Sequence, residues 1–393
     1  MSEDFDTAPR LRDGLRDAFL VYLGARILLF VLSAVGVGLL PLPPMQPTSV
    51  PGWQAIVPAG GWGGQGWEVL FTATERQDAL WFLRIASQGY RIDDVSAAFF
   101  PLFPMLVRIV AWLPGLGTLG AALIVSNAAT LGALVVLHAL TRLELGRDHV
   151  PRSLVLVSLF PTGFFLLAPY TESLFLLLSL AAFWFARRDR WALAATAGAL
   201  AAITRSVGVL LILGLWVEAM RQWRRDGRAP LPRLAAAAAV GIGPLLTMAW
   251  WAAVHQDFWR PLSVQANWRP DGTAFPLTSL WHAMDIAARL RSYWLIDLLV
   301  VGLAVAGIVL AAQRIPSAYT AYAAGSIVLP LLLPFEPRPL LSVPRFVVVL
   351  FPAAWGWSLA AERGRPPMTV IVAGFAAGYG LLSVLFVNWH FIF

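Results

Sequence analysis

Hydrophobic runs of bilayer length dominate the chain. Bordered by charged residues and by Pro and Gly, they fall near 16–40, 117–142, 151–168, 171–187, 189–204, 207–221, 232–254, 293–312, 316–334, 344–361 and 367–388. A helix crosses a bilayer with about 20 apolar residues. The pattern therefore predicts an all-α polytopic membrane protein with about eleven transmembrane helices. Within 151–187 and 189–221 it leaves two readings open: two short helices around a break, or one long kinked helix. Residues 98–113 are apolar too, but with two prolines and Arg108 they read as a segment lying on the membrane.

Arginine clusters set the orientation. Arg10, Arg12 and Arg16 precede the first run, and Arg142, Arg147 and Arg152 lie between the second and third. Arg187, Arg188 and Arg190 follow the fourth, and Arg221, Arg224, Arg225, Arg228 and Arg233 follow the sixth. Arg314, Arg363 and Arg365 mark later returns. Alternating the runs puts every cluster on one face, expected to be cytoplasmic. Two long segments then fall on the other face, 41–116 and 255–292, within a single integral membrane domain spanning 1–393. The first opens with a Pro- and Gly-rich stretch expected to be loosely ordered. No internal repeat is visible, which counts mildly against an inverted-repeat transporter.

Composition agrees with this reading. Hydrophobic residues make up 59% of the chain and charged ones 13%, against roughly a quarter in soluble domains. The N-terminus is polar to about Asp17 and the first run is long enough to stay in the bilayer, so no cleaved leader is expected. With no cysteine, disulfide and thiolate chemistry are excluded; with no lysine, so is a Schiff base. HExxH, DxD, P-loop and GxGxxG patterns are missing, and the HxD pair His255–Asp257 is weak support for a metal. No metal, cofactor or nucleic-acid partner is expected.

The stretch "ERQDALWFLRIASQGYRID", residues 75–93, winds as a helix as far as Tyr90. At 100° per residue, Arg76, Gln77, Arg84, Ser87 and Gln88 gather on one side, and Trp81, Phe82, Ile85, Ala86, Gly89 and Tyr90 on the other. Asp78 falls in the middle of the apolar arc. It is either a helix cap or a working carboxylate at a membrane–water boundary. Asp93 and Asp94 read as a solvated turn.

Two arginines sit at membrane depth. Arg205, in "AAITRSVGVLL", lies where Thr204, Ser206 and Gly208 break a helix, and irregular backbone at depth lines a cavity or is buried in protein. Arg345, in "LLSVPRFVVVL", reads as a cation in a helix's first turn, where an anion held with the free N–H groups would resolve the conflict with the dipole. Each can also be read as an interfacial Arg with its head in water. Glu172 follows a Pro-Tyr-Thr break, and a first-turn acid is favoured by the dipole alone. Tyr170 in that break, Arg84 on the polar arc, and Gln265 and Trp268 in the second long segment complete the candidate residues.

"QDALWFLRIASQGY", "AAFFPLFP", "SLFPTGFFLLAPYTESLFLLLS", "ITRSVGVL" and "SVPRFVVVLFP" occur in an order that resembles the PIG-V family, the GPI mannosyltransferase 2 group, over most of residues 77–353. The chain looks like a bacterial homologue. The family pattern has Trp-Asp where this chain has Gln77 and Asp78, and Arg-Ser-Asn-Gly where it has Arg205, Ser206, Val207 and Gly208. The resemblance implies a GT-C-type glycosyltransferase fold with an extracytoplasmic site in the cell membrane. It also implies an inverting transfer of mannose from polyprenyl-phosphate-mannose to a glycan or glycolipid acceptor. Asp78 would be the general base and Arg205 and Arg345 the donor-phosphate ligands. No second carboxylate is evident beside Asp78, which suits a single displacement. A lipid-linked-sugar flippase and a protein O-mannosyltransferase are the alternatives.

Overall fold

The computed structural model describes residues 11–39, 68–267, 272–289, 292–335, 338–364 and 366–390. Among them there are helices and turns and no strand. The helices are α1 (Leu15–Leu39), α2 (Asp78–Gln88), α3 (Leu102–Val110), α4 (Thr118–Glu144), α5 (Val150–Ser158), α6 (Glu172–Arg187), α7 (Trp191–Thr204) and α8 (Leu211–Asp226). They continue as α9 (Leu231–His255), which includes a short 3₁₀ turn, then α10 (Pro276–Ala288), α11 (Ser292–Ala312) and α12 (Ser317–Leu332). The last are α13 (Val343–Val347), α14 (Pro352–Glu362) and α15 (Met368–Val387).

Among the described residues, five helices are long and apolar enough to cross a membrane. The first of these begins with the 3₁₀ turn ahead of α1, and the others are α4, α9, α11 and α15. Helix also occupies the other expected runs, but not as full-length spans. The run 151–168 stops as a helix at Ser158, and 344–361 divides into α13 and α14. Proline and glycine account for both: "LFPTG" cannot continue α5, and Pro352 restarts the chain as α14. The residues 41–67 expected to be loosely ordered lie outside the described residues.

The packing is inside-out relative to a soluble bundle. Along α1, Ala18, Ala25, Leu29, Ser33 and Gly36 face inward, while Phe19, Leu20, Leu23, Ile27, Val31 and Val35 are exposed. Small residues let backbones approach, and large apolar ones face what a bilayer would supply. The same economy joins α11 and α14. A Cβ on Gly356 would lie 1.7 Å from the Gly307 carbonyl oxygen, so the crossing requires glycine.

One end of the bundle collects the arginine-rich turns. Arg187, ending α6, pairs with Glu144 at the end of α4 (2.5 Å) and reaches Glu218 of α8 (3.3 Å). The Tyr319 hydroxyl of α12 donates to Glu144 (2.7 Å). Arg233 pairs with Asp189 (3.1 Å) and Asp226 (2.6 Å), Asp13 with Arg142 (3.7 Å), and His149 approaches Glu362 (3.8 Å). The N-terminus of α6 and the C-terminus of α7 therefore lie toward the other end. There the two long connecting segments meet: Gln265 Nε2 donates to the Ala98 carbonyl (3.3 Å), Arg260 donates to the Asp94 carbonyl (3.4 Å), and the rings of Tyr90 and Trp251 stand 5.6 Å apart. The segment 98–113 forms the nine-residue α3, with Met105, Ile109, Trp112 and Leu113 exposed.

Candidate active site

Four interruptions of helix converge at this end. Residues 159–171, between α5 and α6, are buried from Phe160 onward. Their carbonyls, unpaired by helix, are met by side chains: Arg26 Nη1 of α1 (2.9 Å) and Asn127 of α4 (3.3 Å) donate to Leu167, Thr130 to Leu166, and Ser126 to Tyr170 (3.3 Å). Irregular backbone at this depth is tolerable only with such partners. Arg26 was not foreseen from the sequence; an arginine inside the first apolar run was the available signal.

The second interruption is Arg205, with extended dihedrals (φ −152°, ψ 145°) between α7 and the 3₁₀ turn Ser206–Leu210. Its neighbour Gly208 packs so closely that a Cβ would stand 2.5 Å from Ala202 Cα. The third lies between α12 and α13; Thr162 Oγ1 donates to the Pro344 carbonyl (2.9 Å) and ties it to the first. The fourth is the start of α2, where the Tyr170 hydroxyl donates to the Arg76 carbonyl (2.7 Å). Gln77 there has φ 50° and ψ −121°, a strained conformation for a side-chain-bearing residue, and its amide donates to the His390 carbonyl (3.1 Å).

The four carry one charged chain. Asp78 accepts from Nη1 of Arg345, Glu172 accepts from Nε of Arg345, and Arg205 Nη1 lies 2.5 Å from Glu172 Oε1. Arg205 also donates to the Thr171 hydroxyl (3.1 Å). Arg345 lies 5.0 Å from the Tyr170 ring centroid, and Arg205 lies 4.8 Å from that of Phe346. Two guanidiniums and two carboxylates balance, as buried charges must. Asp78 is the accessible member, its side chain 34% exposed against 0% for Glu172.

Several expectations are corrected here. The helix starts at Asp78, not Glu75, and ends at Gln88. Asp78 is its first residue rather than a cap; Gln77 holds the cap position and makes no side-chain capping bond. Glu172 is not explained by the dipole alone, because it joins both arginines. It is a second carboxylate beside Asp78, but it is sealed from solvent: Oε1 meets both arginines and Oε2 accepts from the Thr171 hydroxyl (3.4 Å). Nor does α13 offer free N–H groups to an anion: Val343, Arg345 and Phe346 already donate to the Leu340 and Ser342 carbonyls, and Pro344 has no N–H. Arg84 stands apart from the cluster, paired with Asp94 (2.5 Å), and both are 5% exposed. Asp94 is thus no solvated acid, although Asp93 is exposed. Gln265 serves the contact between the long segments, and Trp268 lies outside the described residues.

Residues 61–226 match the family model for Mannosyltransferase (PIG-V). A stretch of 155 residues, 37% of this chain, is 34% identical to the rat protein GPI alpha-1,6-mannosyltransferase 2, and it spans only 31% of that protein's length. In structure the chain resembles ArnT from Cupriavidus metallidurans. The TM-scores are 0.51 for ArnT bound to undecaprenyl phosphate and 0.50 for its apo state, each at 13% identity, over 95% of this chain and 76% of ArnT. The region 61–226 carries Asp78, Glu172 and Arg205, three of the four charged groups, and the ArnT likeness covers the bundle that brings Arg345 to them. Residues 61–226 thus resemble the PIG-V mannosyltransferases, and the chain as a whole shares the fold of ArnT.

Proposed function

We propose that the protein is an inverting mannosyltransferase that moves mannose from polyprenyl-phosphate-mannose to a hydroxyl of a glycan or glycolipid acceptor, at the extracytoplasmic face of the cell membrane. The observation that carries this reading is the chain Asp78–Arg345–Glu172–Arg205, with its acid end open and its arginine end sealed. The PIG-V match supports the sugar and reaction class. The ArnT complex with undecaprenyl phosphate supports a lipid-phosphate leaving group on this fold.

The acceptor oxygen attacks the anomeric carbon as its proton passes to Asp78. The bond from that carbon to the phosphate oxygen breaks, and the electron pair leaves with the polyprenyl phosphate. A β-linked donor thereby gives an α-linked product. Charge grows on the departing phosphate, and Arg345, backed by Arg205, is placed to stabilise it. Glu172 holds both guanidiniums in position. Because Arg345 binds Asp78, an arriving phosphate competes for the same guanidinium and frees the carboxylate to act as base.

The test is transfer of labelled mannose from polyprenyl-phosphate-mannose by purified wild type and Asp78→Asn. Label in glycolipid with wild type alone supports the reading. Equal label with both removes Asp78 from the chemistry. Label in protein names a different acceptor, and donor crossing liposomes without transfer makes the protein a flippase.

A further inference from the structure

A recess of about 220 Å³ opens behind α2, lined by Glu75, Leu80, Leu83, Arg84, Ser87 and Gln88 with Thr118 and Leu119 from the start of α4. Leu80, Leu83, Arg84, Ser87 and Gln88 lie on the side of α2 turned away from Asp78, a separation of roughly 9 Å along the axis from Asp78 to Arg84. Arg84 is buried (6% exposed); its Nη2 is held by Asp94, but the buried Nη1 has no hydrogen-bond partner. A buried donor left unmade costs about 1–3 kcal/mol, so Arg84 holds its place in the recess wall at a cost.

The lining selects the ligand. An anion would meet Glu75 and the Asp94 half of the Arg84 pair, and a cation would meet Arg84. A neutral, hydroxyl-rich ring can accept from Arg84 and donate to Glu75, both of which line the recess. The Ser87 hydroxyl donates to its own helix carbonyls, which leaves its lone pairs for a ligand O–H. Leu80, Leu83 and Leu119 close the recess between polar groups, which make up most of its open surface. The volume is below the roughly 300–1,000 Å³ of pockets that hold drug-sized molecules, which fits one ring.

We infer that this recess is a sugar subsite, holding one neutral pyranose of the acceptor glycan away from the transfer centre. It rests on the glycosyltransferase reading for the word acceptor, but not for binding itself. The experiment is saturation-transfer NMR on the full chain in nanodiscs, with methyl α-mannoside and α-mannobiose as probes, comparing wild type, Leu119→Trp, Glu75→Gln and Asp78→Asn. Leu119→Trp fills the recess from a half-buried position and leaves the Arg84–Asp94 pair intact. Expected are binding by wild type and Asp78→Asn, and an affinity at least ten-fold weaker in both recess variants. In transfer assays Leu119→Trp raises the acceptor KM and leaves kcat unchanged. Binding unaltered by either recess variant overturns the subsite, as does a recess that takes mannose 6-phosphate and rejects the neutral sugars. Failure of the transferase reading appears separately, as sugar binding with no transfer from any mannosyl donor.

Discussion

Asp78 and Glu172 share one guanidinium: Arg345 binds the first through Nη1 and the second through Nε. The two carboxylates divide their work by exposure. Glu172 meets the arginine from the buried side, and Asp78 is the member open to solvent. Asp78→Asn is therefore expected to reduce transfer by about 10²- to 10⁴-fold, the usual contribution of a general base. Donor binding persists and tightens, because the phosphate no longer competes with a carboxylate for Arg345. Titration with polyprenyl phosphate checks this, and a weaker Kd in the variant would contradict the competition.

Glu172→Gln leaves Asp78 as the one carboxylate for two guanidiniums and strips Arg205 of its ion-pair partner. Breaking a buried pair from one side costs about 3–5 kcal/mol. The variant should unfold at clearly lower temperature and bind donor poorly. Glu172→Asp keeps the charge on a shorter stem and should recover most of the stability with less of the activity, since Arg345 is drawn inward. Thermal unfolding and single-turnover transfer separate the two effects; full activity in Glu172→Gln would mean that the arginines need no anchor.

Much of this site could be read from the sequence. Asp78, Arg205 and Arg345 were legible because charge in an apolar run is costly and so conspicuous. The break at Arg205 was legible from Thr204, Ser206 and Gly208. The role of Glu172 was not, because a first-turn acid has a sufficient local explanation, and only tertiary contact brings it between residues 33 and 173 positions away in the chain. Arg84 and Asp94 were misread for a related reason: helical periodicity assigns a polar side but does not reveal that α4 and the second long segment cover it. The eleven-helix expectation met the same limit, since the short and broken helices are apolar without being long.

Gln77 holds a conformation that costs a side-chain-bearing residue on the order of 1–3 kcal/mol, directly before Asp78. Comparing Gln77→Ala with Gln77→Gly isolates that strain, because both remove the bond to the His390 carbonyl. Glycine should be the more stable of the two, by roughly 1–3 kcal/mol, the reverse of the usual loop preference, in which alanine restricts the unfolded chain. Equal unfolding temperatures would show that the turn relaxes at no cost.

Glu75 provides a pH test. Burial raises its carboxyl above the ordinary value of 4.5, with Arg76 opposing only in part. The fold thus favours the protonated form. A group raised in this way contributes stability below the unfolded value, near 4.5, and loses it as pH rises through the folded value. Glu75→Gln is neutral at every pH and escapes that loss. It should match wild type near pH 4 and exceed it in thermal stability at pH 7. The same variant is expected to bind sugar more weakly in the recess behind α2, since an amide oxygen accepts less strongly than a carboxylate. Stability gained and binding lost by one substitution would identify Glu75 as a residue kept for its ligand. An equal offset at both pH values would instead assign the change to packing and remove the carboxylate from the account.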